Sequence, residues 1–131
     1  MMPDPEPTQA WLQEQLLAGT RWAETGDDLR TGCSCYGLVR AAYRHAGVML
    51  PSEPSEAQEL FVRGDGPLQP WDVLQVDFAG IALAPIHLAF LLTLPYGYHC
   101  SKAAMGLARF DSRGRFWRRV TKHVWRLALC A

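Results

Sequence analysis

The sequence predicts an α+β fold in a single domain, with N-terminal helices packed on an antiparallel sheet of about five strands. Three observations lead there. Apolar residues recur at helical spacing in the first half of the chain, whereas the second half breaks into short alternating runs joined by Gly-containing turns. Helices first and strands later give a layered α+β arrangement. A chain of 131 residues, 49% hydrophobic and with five Trp, is also large enough for one core.

Each element has a local cause. Residues 1–7, Met-Met-Pro-Asp-Pro-Glu-Pro, are acidic and Pro-rich, without the basic start and apolar centre of a secretory signal, and read as a flexible tail. Thr8 is placed to cap a helix over 8–18, with Trp11, Leu12, Leu16 and Leu17 as its apolar stripe and Gly19 as its stop. Over 35–46 the apolar positions Leu38, Val39, Ala42 and Ala46 mark a second helix, capped by Ser34 and stopped by Gly47. Residues 55–62 read as a shorter helix, and 73–78, 86–92, 98–101, 107–110 and 116–127 as strands. The apolar run 81–94 is interrupted by Pro85 and His87 and is shorter than the roughly 20 residues a bilayer span needs. A buried strand, without membrane insertion, is the expectation.

Cys35 then falls on the first turn of its helix. Unpaired backbone N–H groups there carry partial positive charge, which favours thiolate and can hold an oxyanion. His87 follows 52 positions later, and His99 a further 12, on runs separated by the turn signal Pro95-Tyr96-Gly97. Adjacent strands can bring the two imidazoles together. A thiol needs a base to ionise it, and the base needs a partner on its other nitrogen; Cys35, His87 and His99 fill those roles. Singly, each has an ordinary structural alternative, the Cys as a small buried hydrophobe and each His as a core or edge residue.

The order of motifs resembles the NlpC family of papain-like cysteine peptidases over 19–126, particularly the short branch found in tailed-phage and prophage tail genes. The matching residues are Gly19-Thr20-Arg21-Trp22, Ser34-Cys35-Tyr36-Gly37-Leu38-Val39-Arg40, Tyr43, Gly47 and Leu50-Pro51. Further on stand Pro70-Trp71-Asp72-Val73-Leu74, His87-Leu88-Ala89-Phe90, Phe116-Trp117-Arg118-Arg119-Val120 and Trp125-Arg126. The resemblance implies a papain-like, NlpC-type fold with Cys35 as nucleophile, His87 as general base and His99 as the orienting residue. It further implies that Trp22, Ser34 and Tyr36 line the oxyanion and substrate side of the cleft. Trp22 stands where the family has Tyr, Ser34 where it usually has Asp, and Leu88-Ala89 where it has Val-Gly. Ser34 keeps the capping function of Asp without its charge.

Cys33, Cys35, Cys100 and Cys130 allow two disulfides, but the lack of a secretory signal favours reduced thiols. A metal or iron–sulfur site built on Cys33, Cys35, His99 and Cys100 is the weaker alternative, because structural zinc pairs are usually separated by two or more residues. Neither a metal nor a cofactor is expected. Cys100 should point away from His99 on a strand.

Charge is balanced overall but uneven. Residues 1–101 carry 5 basic and 12 acidic side chains, net −7, and 102–131 carry 8 basic and one acidic, net +7. The segment reads either as a solvated strand or as a docking surface, with Trp117, Arg119, His123 and Trp125 expected on one strand face. Nucleic acid is not an expected partner, since no nucleic-acid module is evident. His45 and His123 are expected at a helix end and on an exposed strand face, without chemistry.

Two function classes follow from the resemblance. One is a cysteine endopeptidase or amidase hydrolysing amide bonds in peptidoglycan stem peptides, as a phage tail-tip cell-wall hydrolase. The other is a tail assembly or baseplate hub protein that uses the fold structurally. In either class the expected partners are tail-tip or hub proteins met by the basic C-terminal segment, and the expected location is the bacterial cytoplasm, then the virion tail. Related lipid acyltransferases have His before Cys; here Cys35 comes first.

Overall fold

A computed structural model describes residues 2–77 and 87–128. The element order is α1 (Glu6–Ala18), β1 (Asp27–Asp28), β2 (Gly32–Cys33), α2 (Cys35–His45), α3 (Pro54–Gln58) and β3 (Phe61–Arg63). It continues through β4 (Val73–Val76), β5 (His87–Leu91), β6 (Tyr96–Ser101), β7 (Gly106–Asp111), α4 (Arg115–Val120) and β8 (Thr121–Leu127). β1 and β2 form a small hairpin, and the main sheet runs β3-β8-β4-β5-β6-β7, antiparallel at every pairing.

The α+β expectation holds, with the helix of Cys35 packed on the antiparallel sheet. Leu38, Val39, Ala42 and Tyr43 of α2 pack against Phe90, Tyr98, Cys100 and Leu107 on one sheet face. Burying each large side chain of that kind contributes about 1.5–3 kcal/mol. The opposite face carries a second cluster of Leu74, Val76, Ala89, Leu91, Phe110 and Val120. Period-two alternation sends β5 residues to the two clusters in turn: Ala89 and Leu91 to one, Leu88 and Phe90 to the other.

Two close contacts fix α2. Ser34 Oγ accepts from the Gly37 N–H at 2.9 Å, as its capping position predicts. A Cβ on Gly37 would stand 1.7 Å from the Gly26 carbonyl oxygen, so only glycine lets the helix start lie against that loop. Trp71 takes φ +76, a conformation that favours glycine, yet it is 2% exposed. Tertiary contacts hold it there: its indole N–H donates to the Pro3 carbonyl at 2.8 Å, and its carbonyl accepts from the Tyr43 hydroxyl at 2.5 Å.

Several expected boundaries change. The first helix begins at Glu6 with Pro5 as N-cap; Thr8 is buried within it, 3.0 Å from His45 Nδ1, and is not a cap. Leu17 leaves the apolar stripe at 89% exposed. Within the opening segment read as a tail, Met2 packs on the core and the Pro3 carbonyl receives the Trp71 indole.

The helix read over 55–62 stops at Gln58, and 61–63 becomes β3 because those residues pair with Leu127, Arg126 and Trp125. The sheet therefore has six strands, against about five expected. The strand read over 116–127 is divided into α4 and β8. Trp117 and Trp125 thus do not share a strand face: Trp117 stacks on Phe110 at 3.9 Å from helix α4, and Trp125 donates to Gln75 Oε1 at 2.9 Å from β8. Phe78, Ile86, Cys130 and the residues 81–86 of the apolar run lie outside the described residues.

Candidate active site

The two histidines come together on one sheet face. His99 pairs in register with Ala89, two residues beyond His87, and His87 Nε2 lies 3.0 Å from His99 Nδ1. Both residues are 8% exposed. Burial, with His99 adding electrostatic opposition, lowers the pKa of His87 to about 4. Burial lowers His99 to about 4 as well. Both rings are therefore neutral near pH 7.

The surroundings of His99 were not evident from the strand reading. Trp117 stands edge-on at 4.9 Å between ring centroids, and Phe110 at 5.8 Å. These rings immobilise His99 and exclude water from it. The aromatic spacing in 116–125 was visible in the sequence, but its helical half was not.

Cys35 opens α2, the helix that packs on the sheet containing β5, the strand that begins at His87. Burial raises its thiol pKa, while the backbone N–H groups of Leu88, Tyr36 and Cys35 itself act to lower it. The expected depressed pKa at the helix start is thus corrected: desolvation outweighs the N-terminal donors. A raised thiol and a lowered imidazole leave both groups neutral near pH 7. Cys35 retains partial exposure, whereas Cys33 and Cys100 are fully buried.

The remaining sequence candidates have defined positions. Trp22 forms a β-bridge with Cys33, and Lys102 Nζ lies 5.9 Å from its ring centroid. Ser34 uses its hydroxyl to cap α2. Tyr36 donates its hydroxyl to the Pro51 carbonyl, and burial raises its pKa. Cys100 points to the helix-side cluster, with Sγ 3.2 Å from the Cys33 carbonyl, while His99 faces the opposite side, as strand alternation predicts. The neighbouring Cys100 sulfur, and then burial, raise the Cys33 thiol. Of the two histidines assigned no chemistry, His45 stacks on Trp11 at 4.4 Å, whereas His123 is half-buried with Nδ1 unbonded, instead of lying on an exposed face.

No protein-family model matches the chain, and no curated protein matches it. Solved structures do. An NlpC/P60 family protein from Bacillus cereus is similar at TM-score 0.70 and 15% identity, over 97% of this chain and 41% of that one. An NLP/P60 family protein described as similar to lipoprotein, from Staphylococcus aureus, gives TM-score 0.67 and 22% identity, over 97% and 43%. The peptidoglycan hydrolase RipB from Mycobacterium tuberculosis gives 0.63 and 17%, over 93% and 65%. The chain has the NlpC/P60-type fold, and it spans less than half the length of the Bacillus and Staphylococcus chains.

Proposed function

We propose that this protein is a cysteine hydrolase of amide bonds in peptidoglycan stem peptides. One observation carries the reading: the 3.0 Å contact of His87 with His99 on β5 and β6, in the sheet on which the helix opened by Cys35 packs. Fold similarity to a peptidoglycan hydrolase supports the substrate class.

The chemistry follows from the atoms. In this reading His87 keeps Nε2 on His99 and takes the Cys35 proton on Nδ1 as sulfur attacks the scissile carbonyl. The backbone N–H groups near Cys35 stabilise the oxyanion, and His87 returns its proton to the departing amine as the C–N bond breaks. Water then attacks the thioester, giving its proton to His87, and the free acid leaves with the thiol restored. The test is digestion of purified peptidoglycan with mass-spectrometric identification of new peptide termini. Cleavage should require Cys35 and His87, and equal cleavage by Cys35→Ala would refute the assignment.

The finer placement is a phage tail tip, supported by the sequence resemblance over 19–126 and by the exposed, basic α4 with Arg115, Arg118 and Arg119. There the protein passes from the bacterial cytoplasm into the virion and meets hub proteins through this surface. The pair Arg118→Glu and Arg119→Glu should release a folded protein from particles. Unchanged incorporation would refute the docking role.

A further inference from the structure

We propose that Cys33 and Cys100 are a native dithiol that closes to a disulfide when the chain folds in contact with a disulfide oxidant. Both are free thiols buried in the helix-side cluster, 67 positions apart in sequence. Backbone pairing brings them together. Cys33 donates its N–H to the Arg21 carbonyl at 3.1 Å, and its own carbonyl accepts from the Ala23 N–H at 3.0 Å. Cys100 pairs in register with Leu107, whose N–H donates to the Thr20 carbonyl at 3.0 Å, so the segment 20–23 lies beside both. Across this junction the Cys100 sulfur stands 3.2 Å from the Cys33 carbonyl oxygen and 3.8 Å from that of Arg21. A carbonyl oxygen lies about 2.4 Å from its own Cα, which puts the sulfur within about 6 Å of the Cys33 Cα. Bridged cysteines have Cα atoms about 4.4–6.8 Å apart, a separation that this reach accommodates. The two thiols also influence one another's ionisation, as neighbouring sulfurs do.

Cys33 lies two residues before Cys35, and Cys100 directly follows His99. The bond therefore ties the segment entering α2 to the strand of the second histidine. It leaves Cys35 free and is independent of whether Cys35 is the nucleophile. Closure is thiol–disulfide exchange with a small disulfide such as oxidised glutathione. One cysteine thiolate attacks the oxidant, forming a mixed disulfide and releasing a glutathione thiolate; the second cysteine thiolate attacks the mixed disulfide, joining the two protein sulfurs and releasing another. Two protons and two electrons leave the cysteines, and the oxidant becomes two glutathione thiols. Neither sulfur is exposed in the closed fold, so exchange takes place before packing is complete.

The full chain is unfolded in urea and refolded either with a mixture of reduced and oxidised glutathione or with dithiothreitol; free thiols are then blocked and the protein is digested without reduction. Mass mapping should find the Cys33 and Cys100 peptides linked after oxidative refolding and unlinked after dithiothreitol. The oxidised form should unfold at a urea midpoint about 1–2 M higher, because the crosslink restricts the unfolded chain, and reductant should remove the increase. Cys100→Ala should abolish both the link and the increase. If that variant does not fold, Cys35→Ala carried through the same refolding should still give the linked Cys33 and Cys100 peptides. Recovery of Cys33 and Cys100 as blocked thiols or as glutathione adducts, linkage of either to Cys35 or Cys130, or a linked form that unfolds at lower urea than the reduced protein would overturn the native dithiol.

Discussion

Acidification should destabilise this protein well before its exposed carboxylates titrate. His87 and His99 protonate at about 4 in the fold against an ordinary 6.5, so the unfolded chain takes up protons first as pH falls. Their stabilising contribution is complete above about pH 6.5 and is lost on descent through about pH 4. For one such imidazole, linkage gives about 2 kcal/mol lost between about pH 7.5 and about pH 5, and about 4 kcal/mol for the pair. Both residues are 8% exposed, so solvent screening removes little of this. Urea unfolding across that interval measures the effect, and NMR of the ring C–H groups gives the titrations directly. Replacing His99 by Gln keeps a hydrogen-bonding partner for His87 while removing one titrating ring, and should reduce the slope by about half. Stability that is flat or rises on acidification would show that the imidazoles are solvated or paired with negative charge, and would refute the description of a buried neutral pair.

Three further outcomes test the scaffold and the thiol. Asp72 is fully buried and receives Arg126 Nε and Nη2, each at 2.8 Å, so Asp72→Ala should cost about 3–5 kcal/mol by urea unfolding; a loss below about 1 kcal/mol would refute a buried pair. Gly37→Ala places a Cβ 1.7 Å from the Gly26 carbonyl oxygen, and should lower stability by more than the roughly 1 kcal/mol scale of propensity effects, with any hydrolytic activity falling as the start of α2 shifts. Among Cys33, Cys35 and Cys100, alkylation of the native protein followed by peptide mapping should modify Cys35 first, because the other two are fully buried; earlier labelling of Cys100 would contradict that packing.

The local signals that survive folding are those whose cause is itself local. Ser34, the spacing of Leu38, Val39 and Ala42, and Gly47 specify α2 because capping, periodicity and termination act within a few residues. Alternation likewise sends His99 and Cys100 to opposite faces of β6, whatever the rest of the sheet does. Resemblance in motif order extended this to the NlpC-type fold, now matched by solved structures despite identities of 22% and below.

What the sequence by itself determined was therefore the helix that carries Cys35, the strands that carry the two histidines, and the α+β class that contains them. Only tertiary structure decided that Phe61 and Val62 leave the helix expected over 55–62 and, with Arg63, pair with the last strand, and that Arg115–Val120 coils so that Trp117 can cover His99. It also decided the sign of the Cys35 shift, because burial is set by segments distant in sequence, whereas the donors at a helix start are set by neighbours. Long-range desolvation and strand pairing compete with local preference, and at these positions they prevail.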